Sequence, residues 1–560
     1  MDAGSDSIPR RVASSALACV AALAITIVMT WPLAAGFGRL GRTAPGDGPF
    51  AIWNVSWVAH SLTTAPLALF DANIFHPHTG TLAYSEINLI GGIVGIPGWL
   101  LTGNPYVTHN SALMFAFATS AVGMWLLARR LTGSTGAAAV AAVLYAYSPY
   151  FFAHTPHIQL LMGGGIPVAL LLMYDVAETR SIARGVVLGV ALAAQALACA
   201  YYGIFAGLLV GYAAIVLAIT RGRWRDPRYW IAIATGAVVS LVCVLPFFLP
   251  FVRLQQEGGF HRTLAESVRY SANPSSYLAS PAHAHGWLLA MIQDWPRFNE
   301  VLFPGFLALT LAAVGLFAGI RAAGTPEVGT PATRETVLIF GTIGLLAFWA
   351  SFGPAAGLYS LLYYTIPLFS FLRAPSRLGP VVMTALAVLA AVGVRQLLGR
   401  SSPRRQTIAA MALSVVALLE LNEVPFGWER APVLPQPYQF LAQLPRGPVA
   451  EFPFYGSRVA YHLHTQYMLF STAHWFPLVN GYSDYFPQDF REAAFVLDSF
   501  PSTDSFNVLR RRRVRYIAIH WDMFGPRRRE IEERLRPFVN NLRPVSADRN
   551  MTLYEVVGYP

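Results

Sequence analysis

Apolar runs, most of them roughly 17 to 25 residues long, recur between residues 12 and 421, separated by more polar stretches, and predict a polytopic membrane helical bundle. They fall at 12–33, 107–128, 135–150 and 160–176, then on either side of Ala200-Tyr201-Tyr202-Gly203. Further runs follow at 230–251, 301–320, 337–352, 378–398 and 408–421. The pattern is mainly α, with about eleven spans. Residues 88–101 are apolar too, but this stretch is short and broken by glycines and Pro97. It reads as interfacial or re-entrant rather than as a crossing.

The polar stretches alternate in kind. Arg129-Arg130, Arg180 with Arg184, the group from Arg221 to Arg228, and Arg400 with Arg404 and Arg405 all lie between spans. Such clusters mark cytoplasmic ends, which places the N-terminus inside and the histidine-bearing loops outside. Counting 88–101 as a crossing would invert every later cluster. Arg10 and Arg11 precede the first run, which shows no small-residue cleavage site and reads as a retained anchor. A Gly/Pro/Thr linker is expected inside, between 320 and 337, and a long outer loop at 252–300.

After residue 421 the composition turns polar and mixed. Residues 449–452, 515–520 and 551–557 read as strands, and 488–498 and 526–536 as helices. The expected organisation is a membrane domain, 1–421, with an outer loop at 34–106, and a small extracytoplasmic α/β domain, 422–560. Inside the loop, 50–62 carries Trp53, Trp57 and His60 at helical spacing, which predicts an amphipathic helix in the membrane interface.

Composition sharpens this picture. Charged residues make up 12% of the chain, against about 25% in soluble domains. The net charge of +11 comes from arginine alone, since the sequence has no lysine, and its clustering between spans assigns it to topology rather than to nucleic acid. A lysine-free chain also points to a GC-rich bacterial genome, hence to a multi-pass protein of the bacterial inner membrane. Cys19, Cys199 and Cys243 lie in apolar runs without metal-ligand or disulfide spacing.

The chemistry-bearing residues gather in the outer loops. Asp47, Asp71, His76, His78 and Glu86 share the first loop, and His154 and His157 lie in the next. Asp47 stands between Gly46 and Gly48, where the backbone can approach a ligand closely, although the tripeptide also suits a plain turn. Arg373 and Arg377, in FLRAPSR before a span, suit phosphate recognition or interfacial snorkelling; Arg262 and Arg269 are rivals. Glu300 and Tyr270 border the same region without an assigned role. The aromatic stretch 474–485 suits carbohydrate binding and domain packing alike.

Asp47 just after span one, the helix with Trp53 and Trp57, a multispan core and a C-terminal soluble domain together resemble the GT-C superfamily of integral membrane glycosyltransferases. The resemblance implies a polyprenyl-phosphate sugar as donor and a glycan, lipid or protein acceptor reached from the outer face. It also implies Asp47 as general base. From their place in the outer loops, Asp71, His76, His78, Glu86, His154, His157, Arg373 and Arg377 are the candidate substrate-binding groups. No cofactor is assigned; a divalent cation stays open. The alternative is a non-catalytic lipid-glycan transporter or envelope assembly scaffold. Few ionisable residues fall mid-span, and Asp175 and Glu420 sit near span ends, so the distribution favours chemistry at the surface over translocation.

Overall fold

Helices cover the apolar runs in the computed structural model, which describes residues 8–258, 262–321 and 331–560. In chain order they are α1 (Ile8–Met29), α2 (Asp47–Thr64), α3 (Leu89–Thr102), α4 (Pro105–Thr132) and α5 (Thr135–Ala146). There follow α6 (Gly165–Thr179), α7 (Ile182–Ala198), α8 (Ala200–Thr220) and α9 (Pro227–Gly258). Then come α10 (Phe306–Arg321), α11 (Pro331–Ser351), α12 (Gly379–Leu398) and α13 (Pro403–Glu420). Among the described residues, 6 helices are long and apolar enough to cross a membrane. The chain is a membrane protein. Most of the linker expected between 320 and 337 lies outside the described residues, as do positions 259–261 of the long loop.

The chain divides into two compact units. The first contains Met1–Ala35, Leu113–Phe247 and His261–Gly427. At its centre α12 packs against α5, α10 and α11. The α10–α12 contact is tight because Gly315 and Gly393 bring backbone onto backbone; a Cβ on either would strike the opposite helix. A second group forms where α6, α7 and α8 pack on one another. Burial separates centre from rim: the apolar window of Pro375–Leu398 is 72% buried within the protein, that of Pro227–Gln256 only 11%.

Ion pairs gather at one end of these helices. Arg130 meets Asp175 at 3.7 Å, and Arg221 meets Glu335 at 2.6 Å and Glu178 at 3.9 Å. These contacts tie the C-termini of α4, α6 and α8 to the start of α11. The histidine-bearing loop and Arg373 and Arg377 belong to the opposite helix ends.

The second unit contains Gly36–Ala112, Phe248–Phe260 and Trp428–Pro560. A two-stranded ribbon pairs β1 (Leu40–Gly41) with β2 (Glu429–Arg430). The main sheet holds β3 (Val449–Phe452), β4 (Tyr516–His520), β5 (Leu542–Ala547) and β6 (Met551–Val556) in the order β3-β4-β6-β5. The β3–β4 pairing is parallel and the others antiparallel. Helices α14 (Gln488–Leu497), α15 (Thr503–Arg511) and α16 (Arg528–Leu535) flank it in sequence.

Strands β3, β4 and β6 lie where the sequence predicts them, as do α14 and α16. Strand β5 was not expected: it carries Arg543 and Pro544, sits at the sheet edge and shifts register between Pro544 and Ser546. The helix expected at 50–62 is present as α2, but it is not an interfacial amphipathic helix. Trp53 and Trp57 are buried, because α3 and the turn Thr465–Phe470 pack against α2. Their indole N–H groups donate inward, Trp53 to Asn73 Oδ1 at 3.1 Å and Trp57 to the Leu69 carbonyl at 2.9 Å.

Candidate functional site

Asp47 is the first residue of α2 and is exposed. Gly46 takes φ 133°, open to glycine, and donates its N–H to Thr465 Oγ1 at 2.9 Å. Gly48 runs so close to the Arg42 carbonyl that a Cβ would overlap it. Both glycines therefore have a backbone reason to flank this carboxylate. The N-terminal end of a helix favours negative charge. The Tyr482 hydroxyl stands 3.5 Å from Asp47 Oδ1, and the Tyr482 ring meets Phe50 edge-on at 5.8 Å.

The other acids and histidines of the first loop have local partners. Asp71 Oδ1 accepts the Gly80 N–H at 2.8 Å. Residues 73–76 pair through their backbone with 478–480, including His76 N–H to the Leu478 carbonyl at 2.8 Å. His78 Nε2 lies 2.8 Å from Asp489 Oδ1. Arg512 joins the same knot, donating to Asp489 Oδ2 at 2.7 Å and to the His76 carbonyl at 2.6 Å. Burial alone would raise the Asp489 carboxyl, but His78 and Arg512 hold it below the usual carboxylate range. Glu86 is half-buried, and its carbonyl accepts from Asn54 and Asn88.

The stretch 474–485 folds against α2 and α3. Trp475 stacks on His60 at 4.8 Å and meets Trp57 and Trp99 edge-on at 5.5 and 5.8 Å. His474 is buried, which pushes its imidazole down to about 3, and its Nδ1 accepts the Phe476 N–H. Asn480 holds both the N–H and the carbonyl of Glu451. Most of this segment is core; Tyr482 and Asp484 reach the surface.

In the first unit, Arg373, Arg377, His154 and His157 come from loops at one set of helix ends. The Arg377 guanidinium lies 4.4 Å from the Tyr201 ring centre, and Tyr201 accepts the Arg373 N–H at 2.9 Å. Arg373 covers Tyr270 at 5.2 Å and reaches Glu266 at 3.7 Å. Arg262 is held by Glu266 at 3.0 Å, and Arg269 lies over Tyr270 at 5.9 Å. The His154 ring packs on Tyr150 at 4.2 Å and 5.9 Å from His157. Its Nε2 is 3.2 Å from Glu300. Stacked guanidinium groups at a rim of tyrosines suit a phosphate.

Sequence reasoning gave no role to Tyr201, Glu266, Glu300 or Tyr482. Tyr201 lay in the tetrapeptide between two spans, Glu300 at the border of the arginine region and Tyr482 in the aromatic stretch 474–485. Among the described residues, no three His, Cys, Asp or Glu side chains gather as metal ligands. A divalent cation therefore has no ready-made ligand set there.

No family model matches the sequence, and no curated protein matches it either. Solved structures do. ArnT from Cupriavidus metallidurans in the apo state aligns over 97% of this chain and 98% of its own, at 15% identity and TM-score 0.50. The same protein bound to undecaprenyl phosphate gives 15% identity, 96% and 97% coverage and TM-score 0.48. The archaeal oligosaccharyltransferase AglB from Archaeoglobus fulgidus, in complex with an inhibitory peptide and a dolichol-phosphate, aligns over 98% of this chain and 74% of its own. Its identity is 12% and its TM-score 0.46. Over nearly the whole length of both chains the architecture is that of apo ArnT, and the chain has the GT-C fold.

Proposed function

We propose that this protein is a membrane glycosyltransferase that moves a sugar from a polyprenyl-phosphate donor to an acceptor on the extracytoplasmic face of a bacterial inner membrane. The observation that carries this reading is the exposed Asp47 carboxylate, placed by its two glycines at the head of α2 in a chain of GT-C fold. The acceptor is a glycan, lipid or protein hydroxyl or amide of the cell envelope. The proposed topology has about eleven spans, the N-terminus inside and the C-terminal domain outside.

In this reading Asp47 takes the acceptor proton while the acceptor oxygen or nitrogen attacks the anomeric carbon. The bond from that carbon to the phosphate oxygen breaks, its electron pair stays on the departing polyprenyl phosphate, and the anomeric configuration inverts. Arg373 and Arg377 receive the charge that develops on the phosphate. Glu86 and His157 are assigned to substrate contact. Asp71, His76 and His78 act through the loop that their contacts brace.

The test is transfer by the purified chain from a panel of radiolabelled polyprenyl-phosphate sugars to envelope lipid and glycan extracts. The reading predicts consumption of at least one donor and release of polyprenyl phosphate. A chain that binds such donors and consumes none would be a transporter or scaffold.

A further inference from the structure

Glu300 and His154 form a pair that the transfer chemistry above does not use. His154 Nδ1 lies 2.8 Å from the Tyr150 carbonyl oxygen, and Nε2 lies 3.2 Å from Glu300 Oε2. Both partners are acceptors. A neutral imidazole has one N–H, so making both bonds with an ionised Glu300 requires both ring protons. Glu300 is ionised: burial would raise its carboxyl, but His154, the Val301 N–H and Arg377 together hold it below the usual range. The Val301 N–H donates to Oε1 at 3.0 Å, so each carboxylate oxygen has a donor. The two side chains are only 10% and 13% exposed, which strengthens charge coupling.

We infer that Glu300 is a positioning residue that clamps His154 over Tyr150 as an imidazolium in a charge-compensated pair, leaving Arg377 as the positive charge presented to a phosphate. The inference rests on the polyprenyl-phosphate reading. The ring nitrogens of His154 are both engaged, so it supports the phosphate site without touching the ligand. The pair itself is neutral, which leaves the guanidinium as the charge that a phosphate meets. The other titratable groups facing the pair are Tyr150, Tyr202 and Cys199, with His157 beside the ring. Tyr202 approaches the Tyr150 hydroxyl at 3.1 Å.

Replacing Glu300 by Gln removes the negative charge and the acceptor that demands the second proton. The imidazole then needs only the one ring proton that it gives to the Tyr150 carbonyl. Phosphate affinity acquires a pH dependence that wild type lacks. A pair that merely braced the fold would change affinity by the same factor at every pH.

The experiment measures binding of undecaprenyl phosphate to the full chain in nanodiscs from pH 5.5 to 8.5, for wild type, Glu300→Gln and Glu300→Asp. Taking the ratio to wild type at each pH removes the titration of the phosphate itself. The expected result is that the Glu300→Gln ratio falls about tenfold from acid to base, while Glu300→Asp, which keeps the carboxylate, stays parallel to wild type. A ratio independent of pH overturns the inference. If wild type binds no undecaprenyl phosphate at any pH, the phosphate role fails together with the donor reading, and thermal unfolding judges the clamp alone. The melting difference between wild type and Glu300→Gln must then narrow below the ordinary carboxylate range, about pH 4.3, and a constant difference rejects the clamp as well.

Discussion

Glu451 and His520 meet in the core of the second unit, with Oε2 2.8 Å from Nε2 and side-chain exposures of 0% and 2%. They lie on the parallel neighbours β3 and β4, and the Tyr438 hydroxyl donates to the same carboxylate oxygen at 3.0 Å. Removing one partner leaves a buried polar group short of a hydrogen bond, at a cost of about 1–3 kcal/mol. His520→Ala should therefore strongly destabilise this unit. Limited proteolysis of the purified chain should show early cleavage after residue 428; unchanged resistance would mean the pair is dispensable.

Glu420, at the end of α13, accepts the N–H groups of Phe306 and Leu307 at the start of α10 and lies 3.2 Å from His285. A carboxylate on free helix N–H groups contributes about 1–2 kcal/mol. Glu420→Ala should lower the melting temperature of detergent-solubilised protein, and Glu420→Gln, which keeps one acceptor, should lower it less.

The knot of His78, Asp489 and Arg512 makes stability depend on pH in a defined direction. The folded Asp489 carboxyl lies below its unfolded value, so its contribution is present above about pH 3.9 and is lost as pH falls through the folded value. Acidification should release the loop at 73–78 before the sheet unfolds, seen as faster amide exchange at residues 75 and 76. Arg512→Ala should produce the same release at neutral pH.

Arg377 stacks on Tyr201, a geometry that lysine cannot reproduce. Arg377→Lys should raise the donor KM by about tenfold or more, with a smaller effect on the acceptor KM. Equal effects on both substrates would place Arg377 outside the phosphate contact.

Local signals carried much of this fold. Gly447 and Pro448 announce β3, and the apolar run Tyr516–Ile519 needs no long-range context to read as a strand. Strand β5 escaped because Pro544 and Arg543 argue against a ladder that only the edge position permits. The place of α2 was legible, but its burial was not: indoles at helical spacing suit a membrane interface and a protein core equally. The site was legible as a set of loops. Its pairings were not, because Tyr201 with Arg373, Glu300 with His154 and Tyr482 with Asp47 are each set by tertiary packing across long sequence separations.

The central claim is that Asp47 is the base, and Asp47→Asn tests it most directly in the transfer assay. The amide keeps the size and the helix-start geometry while losing the proton acceptor. The account predicts that transfer falls by about 10²–10⁴-fold with membrane insertion, melting temperature and donor binding unchanged. Transfer by Asp47→Asn at the wild-type rate would contradict the assignment and move the base elsewhere.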